Sequence, residues 1–282
     1  MTHNPINKCI YCDATYELTD EHIVAYGLGG EDVLPKASCK ACAKITGAFE
    51  EEVLRGLWKF VRAVLGFPTR NPKEMPRSYT FQVETKDGEN KIILDESEKL
   101  AIAGFPEYAT PAFLAPREFT PGILMTGYRM VGFGSSIDEL LKKYNLRSIG
   151  GSMTYKGTSF PRMLAKIALG FAVARFSLDK FEEIYVRNCI LNKKDDVGIW
   201  VGSDFWEVSQ AQLEAEERSR NSSSIGVDAK GNVLVRIRLF SFSPHSPAYI
   251  VVVGRLFPDT SMEKEGAVAK AFSKVFPLLG TH

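Results

Sequence analysis

Residues 8–52 read KCIYCDATYELTDEHIVAYGLGGEDVLPKASCKACAKITGAFEEE. Four of the chain's five cysteines lie here, as two Cys-x-x-Cys pairs, Cys9/Cys12 and Cys39/Cys42. Between the pairs stand Glu21-His22 and then Gly29-Gly30. A thiolate pair spaced by two residues aims both sulfurs at one ion, at about 2.3 Å for zinc. Two such pairs complete a tetrahedral four-sulfur site, although the gap between them is wider than in common zinc ribbons. A closed site has no open coordination position. The zinc expected on Cys9, Cys12, Cys39 and Cys42 therefore holds the fold and does no chemistry.

The rest of the composition is ordinary. The chain has 282 residues, 45% hydrophobic and 24% charged, which suits one large domain or a small module joined to a larger one. Its net charge of +1 gives no global case for nucleic acid or an anionic membrane, so any such contact must come from a local patch. The sequence has no apolar run long enough to span a bilayer and no apolar segment near its start. Paired cysteines in a chain of this kind suggest reduced thiols on a metal, and hence a cytoplasmic setting.

Working outward, Cys9–Cys12 should form a tight knuckle. Residues 16–24 should form a strand, 26–32 a turn-rich loop, and 33–35 an extended segment. Ser38 is the expected cap of a helix carrying the second knuckle. Phe49, Val53, Leu57, Phe60, Val61, Val64 and Leu65 recur at helical spacing and continue that helix to Gly66. Arg55, Lys59 and Arg62 fall on another stripe, either a solvated face or a set of phosphate contacts.

The proline-rich segment 67–77 reads as a linker. The expected fold class is therefore α+β, with a zinc-stapled module over 1–70 and a larger α+β domain over 78–282. In the latter, 79–95 reads as a hairpin, 101–122 as irregular and 124–133 as a strand. Ser136 caps a short helix, and Ser159-Phe160-Pro161 opens a longer one with a broad apolar face. Further expectations are a helix near 179–191, a strand over 197–201 and, over the polar stretch 210–224, an exposed loop or a short surface helix. A hairpin over 227–242, a strand over 249–253 and a helix over 261–276 complete the reading. Cys189 reads as a small buried hydrophobe and His245 as a loop residue.

The Glu21-His22 pair carries the candidate chemistry. Hydrolysis of a phosphodiester needs a base on water and a cation near the phosphate oxygens. The order Cys9-Ile10-Tyr11-Cys12, Leu18-Thr19-Asp20-Glu21-His22-Ile23-Val24, Gly29-Gly30, Ala37-Ser38-Cys39-Lys40-Ala41-Cys42 resembles the HNH endonucleases, in the branch with two Cys-x-x-Cys pairs. The resemblance covers about residues 8–52. It implies a small ββα-metal fold, Glu21 as ligand of a divalent ion such as magnesium or manganese, and His22 as general base on water.

Two positions depart from that pattern. Ala25 stands where a proline is common. Ala43 stands after the second knuckle, where the family places an Asn or His ligand. Glu50, Thr46 and Asp20 are candidates to replace it, with Glu50 favoured by charge. Lys40, Lys44, Arg55 and Lys59 are the nearest basic residues for a nucleic-acid backbone, DNA before RNA. The second expectation is a zinc-stabilised binding module whose catalytic site is lost at Ala43. The C-terminal domain has no phosphate loop or nucleophile motif; it is expected to recognise a target, bind a protein partner or set an oligomeric state.

Overall fold

The computed structural model describes residues 3–76, 78–86, 88–95, 98–118, 120–150, 157–205 and 209–258. The helix expected over 261–276 lies outside the described residues. Strand β1 (Leu18–His22) pairs antiparallel with β2 (Val33–Cys39), and helix α1 (Lys40–Arg55) follows directly. His22 lies opposite Val33 at the strand end. The connecting loop needs Gly29 and Gly30. Gly29 has φ +75, and a Cβ on Gly30 would sit 1.9 Å from the Val24 carbonyl oxygen.

Two features of this region differ from expectation. Ser38 belongs to β2, and Cys39 is the N-cap residue of α1, without a side-chain cap. The long apolar stripe also spans two helices. The chain breaks at Gly56 and resumes as α2 (Lys59–Val64). The break turns Trp58 inward, where its ring centroid lies 5.6, 5.2 and 5.0 Å from Phe105, Phe160 and Phe240. Trp58 also donates its indole N–H to Gly104 O at 3.3 Å.

After the proline-rich segment come β3 (Ser78–Thr85) and β4 (Gly88–Asp95), an antiparallel hairpin as expected. β5 (Leu100–Tyr108) then pairs with β6 (Met125–Gly134). Most of β5 falls in the stretch 101–122, expected to be irregular because it is rich in proline and aromatics. It is a strand because Leu100, Ala101, Ala103, Phe105 and Tyr108 are buried. Helix α3 (Ile137–Lys143) starts at Ser136, whose Oγ accepts from Glu139 N, and β7 (Ser148–Gly150) pairs with β3.

Helix α4 (Ser159–Phe176) is the centre of the molecule. The region expected as a third helix is instead β8 (Phe181–Ile184) followed by the short α5 (Arg187–Ile190). The expected strand at 197–201 is a short helix, α6 (Val197–Trp200), leading into β9 (Val201–Asp204). Helix α7 (Gln210–Glu216) is the short helix that was one of two readings for 210–224, while β10 (Asn221–Val227) replaces the end of that stretch with a strand. β11 (Asn232–Leu239) and β12 (Ala248–Leu256) complete a sheet of order β10-β11-β12-β8, with β9 also on β12. The hairpin turn expected at Lys230-Gly231-Asn232 closes slightly earlier, with Gly231 N donating to Asp228 O at 3.0 Å and Asn232 already in β11, and the strand entering it begins at Asn221.

Val235, Ile237, Val251 and Val253 of β11 and β12 share one buried apolar cluster with α4 residues. The same cluster takes Cys9, Ile10, Cys39, Cys42, Phe49 and Val53 from the N-terminal stretch, so apolar packing is continuous across the proline-rich segment. Arg187 ties the first knuckle to α5. It donates to Ile10 O at 2.8 Å and to both oxygens of Asp13, at 2.7 and 3.0 Å.

Candidate metal centre and candidate nucleic-acid cleft

The four cysteines converge. All four Sγ atoms of Cys9, Cys12, Cys39 and Cys42 lie within 4.8 Å of one another. Cys12 Sγ and Cys39 Sγ are 3.6 Å apart, against about 3.8 Å for an edge of a tetrahedron with 2.3 Å zinc–sulfur bonds. The first knuckle is closed by Cys9 N donating to Ala14 O at 2.8 Å and by Asp13 N donating to Cys9 O at 2.9 Å. The second sits at the start of α1. Burial pushes the Cys9 and Cys42 thiols up. At Cys39 burial acts the same way, but the Cys42 amide and the neighbouring thiols outweigh it and hold Cys39 below the ordinary thiol value. Four convergent soft donors can hold a metal ion, and they are compatible with structural zinc.

His22 sits on the wall of a separate cleft of about 790 Å³. Its lining includes Glu21, Ala43, Glu50, Arg55, Lys59 and Arg70. β1 supplies His22 and Glu21, while α1 supplies Ala43, Glu50 and Arg55. Lys59 begins α2, and Arg70 comes from the proline-rich segment. Among the described residues none hydrogen-bonds the His22 ring, which meets Tyr26 edge-on at 6.1 Å. Burial, with the Lys166 ammonium and Arg70 next in effect, holds the imidazole below its ordinary value. It is therefore neutral near pH 7 and able to accept a proton.

Glu50 reaches the site that Ala43 cannot serve. Glu21 and Glu50 converge, but on a lysine. Lys166 Nζ, from the middle of α4, lies 2.8 Å from Glu21 Oε1 and 2.9 Å from Glu50 Oε1. It also donates to the carbonyl oxygens of His22 and, at 3.3 Å, Ile23. The Lys166 side chain is 1% exposed, that of Glu21 8% and that of Glu50 17%. The divalent ion implied by the family resemblance does not fit this donor set. Both carboxylates are engaged by an ammonium, and Ala43 has no donor. The other two substitutes are engaged elsewhere: Thr46 Oγ1 donates to Ala43 O at 3.3 Å, and Asp20 Oδ1 accepts from Lys36 N at 3.0 Å.

The basic candidates separate. Arg55 and Lys59 line the cleft; Lys40 and Lys44 do not. Lys40 pairs with Glu17 at 3.0 Å, and Arg55, though on the cleft, pairs with Glu51 at 2.9 Å. Arg62 belongs neither to a solvated face nor to a free phosphate site. It is buried and donates to Gly27 O at 2.6 Å, Pro68 O at 3.2 Å and Leu54 O at 3.4 Å, fixing the cleft wall.

Sequence reasoning missed Lys166 and Arg70. The signal for Lys166 was present: it follows Met163 by three residues and precedes Gly170 by four, within the apolar run from Met163 to Val173. A lysine in that register needs a buried carboxylate. Arg70 carried no signal beyond its place among prolines.

No family model matches this chain, and no curated protein and no solved structure matches it. Among the described residues, no helix is long and apolar enough to cross a membrane.

Proposed function

We propose that the chain is an HNH-like endonuclease, with the His22 cleft hydrolysing phosphodiester bonds in nucleic acid and zinc on the four cysteines holding the scaffold. The observation that carries the reading is the neutral His22 on the wall of a cleft shared with Arg55, Lys59 and Arg70. The β1-β2-α1 order of the cysteine-bearing stretch supports the likeness to HNH endonucleases. In the proposed step His22 takes a proton from water as the water oxygen attacks phosphorus. The bond to the leaving oxygen breaks, and that oxygen takes its proton from solvent. The guanidinium and ammonium groups of the cleft offset charge gathering on the phosphate. No step passes through a divalent ion.

The test is cleavage of plasmid DNA and of RNA by the zinc-loaded chain. Loss of a general base typically costs about 10²–10⁴-fold, so His22→Ala should fall by that much while zinc content and melting stay put. Unchanged cleavage in His22→Ala sinks the mechanism. A second reading, a nucleic-acid-binding module, is favoured by Ala43 and by the lysine between the two carboxylates. It predicts retention of labelled DNA or RNA in gel shift, equally in wild type and His22→Ala, with no cleavage by either.

A further inference from the structure

We infer that the Lys166 ammonium is the resident cation of the Glu21–Glu50 pair, and that this cleft holds no divalent ion and works with positive charge supplied by the chain. The inference deepens the proposed function and rests on the same cleft.

Two carboxylates from different elements, β1 and α1, meet at one point, as the oxygen ligands of a hard cation do. The point is already filled. Around Lys166 Nζ stand Glu21 Oε1, Glu50 Oε1 and the carbonyl oxygens of His22 and Ile23. Of the ammonium's three protons the two carbonyl oxygens accept two, and the carboxylates balance its charge, Glu50 Oε1 as an ion pair without a hydrogen bond. The carboxylate oxygens stand 2.8 and 2.9 Å from Nζ, the spacing of ammonium–carboxylate ion pairs; magnesium–oxygen bonds are about 2.0–2.1 Å.

A divalent ion would have to displace the ammonium, and the ammonium has nowhere to go. Its stem leaves α4 between Met163, Leu164, Ile167 and Leu169, all fully buried. Withdrawing Nζ would strand it in apolar surroundings, at a cost of several kcal/mol. Lys166 cannot touch substrate either, because its side chain is only 1% exposed. It is a positioning residue: by donating to His22 O it fixes the backbone of the general base. Charge at the phosphate is left to Arg55, Lys59 and Arg70.

The test uses the zinc-loaded full chain and manganese ion alone, followed by the electron spin resonance of free Mn²⁺. Wild type at 0.1 mM Mn²⁺, about the scale of a weak protein site, should leave the ion free. Lys166→Ala should take up one equivalent, and the double variant Lys166→Ala/Glu21→Gln should lose it. Wild type binding one equivalent that Glu50→Gln abolishes overturns the inference, and this arm stands even if Lys166→Ala does not fold. A folded Lys166→Ala that gains no manganese overturns it as well. In the activity arm, cleavage by wild type should change less than about twofold when magnesium is omitted and zinc is retained, well inside the factor of ten that 1.4 kcal/mol represents. Strict magnesium dependence overturns the inference. A chain that cleaves nothing under any condition removes the hydrolase reading and leaves the manganese result to decide the cation.

Discussion

Lys166 is the residue on which the candidate site turns. Burial works against its charge, but Glu50 and Glu21 outweigh that, so its folded pKa stands well above the ordinary lysine value. With the folded pKa raised, the stabilisation is complete below the unfolded value near 10.4 and is lost only as pH rises through the folded one. Across the neutral range Lys166 keeps its charge. Removing one partner of a buried charged group typically costs about 3–5 kcal/mol, because the others are left uncompensated. Lys166→Met should therefore destabilise the chain by about that much in urea melts. Adding Glu21→Gln and Glu50→Gln should recover most of the loss, since neutral groups of similar volume remove the desolvation problem. A Lys166→Met loss below about 1 kcal/mol would mean that the carboxylates find water and that the triad is less buried than its geometry implies.

At the scale of elements, the docking of the first knuckle onto α5 has its own acid signature. Burial pushes the Asp13 carboxyl up, but Arg187 and then Lys8 outweigh it and hold the group below its ordinary value of 3.8. A depressed carboxyl contributes stability above its unfolded pKa and loses it as pH falls through the folded one. The acid limb of stability should therefore begin near pH 4 and be shallower in Asp13→Asn. Melting midpoints measured from pH 6 to 3 check this; parallel curves for the two proteins would show that the pair does not stabilise the docking. The elements that were legible beforehand share one property: a local cause. Ser136 caps α3, Phe160 and its apolar partners define α4, and β12 is built around the β-branched run Ile250-Val251-Val252-Val253. Those that were not legible depend on distant partners. β5 is a strand because α2 and β6 pack on it, despite Pro106. Helix α7 ends in a buried Glu216 because Arg236 and Arg238 of β11 await it. The candidate site divides the same way. Cysteines spaced by two residues announce themselves, and Glu50 falls within one helix of Ala43. Lys166 meets His22 from 144 positions away, so no local pattern could join them.

For the whole molecule, the four cysteines matter through their place in the core. Cys9, Cys39 and Cys42 belong to one apolar cluster with Trp58, Phe160 and Tyr249, so the metal centre is not a detachable finger. Ion binding that occurs only in the folded chain adds free energy to the whole cooperative unit. At a free-ion level a thousand times the dissociation constant, that is about 4 kcal/mol. For a chain of this size each kcal/mol is roughly 2–4 °C of melting midpoint. Stripping the ion with a strong chelator should therefore lower the main calorimetric transition by roughly 10 °C, as a single shifted peak. Cys42→Ser should melt at the lower temperature with or without chelator. The alternative has a distinct appearance: two separated transitions, of which only the smaller moves with chelator. That result would mean the shared core does not couple the knuckles to α4. It would also cut the route by which the metal centre holds β1, and with it Glu21 and His22, against Lys166.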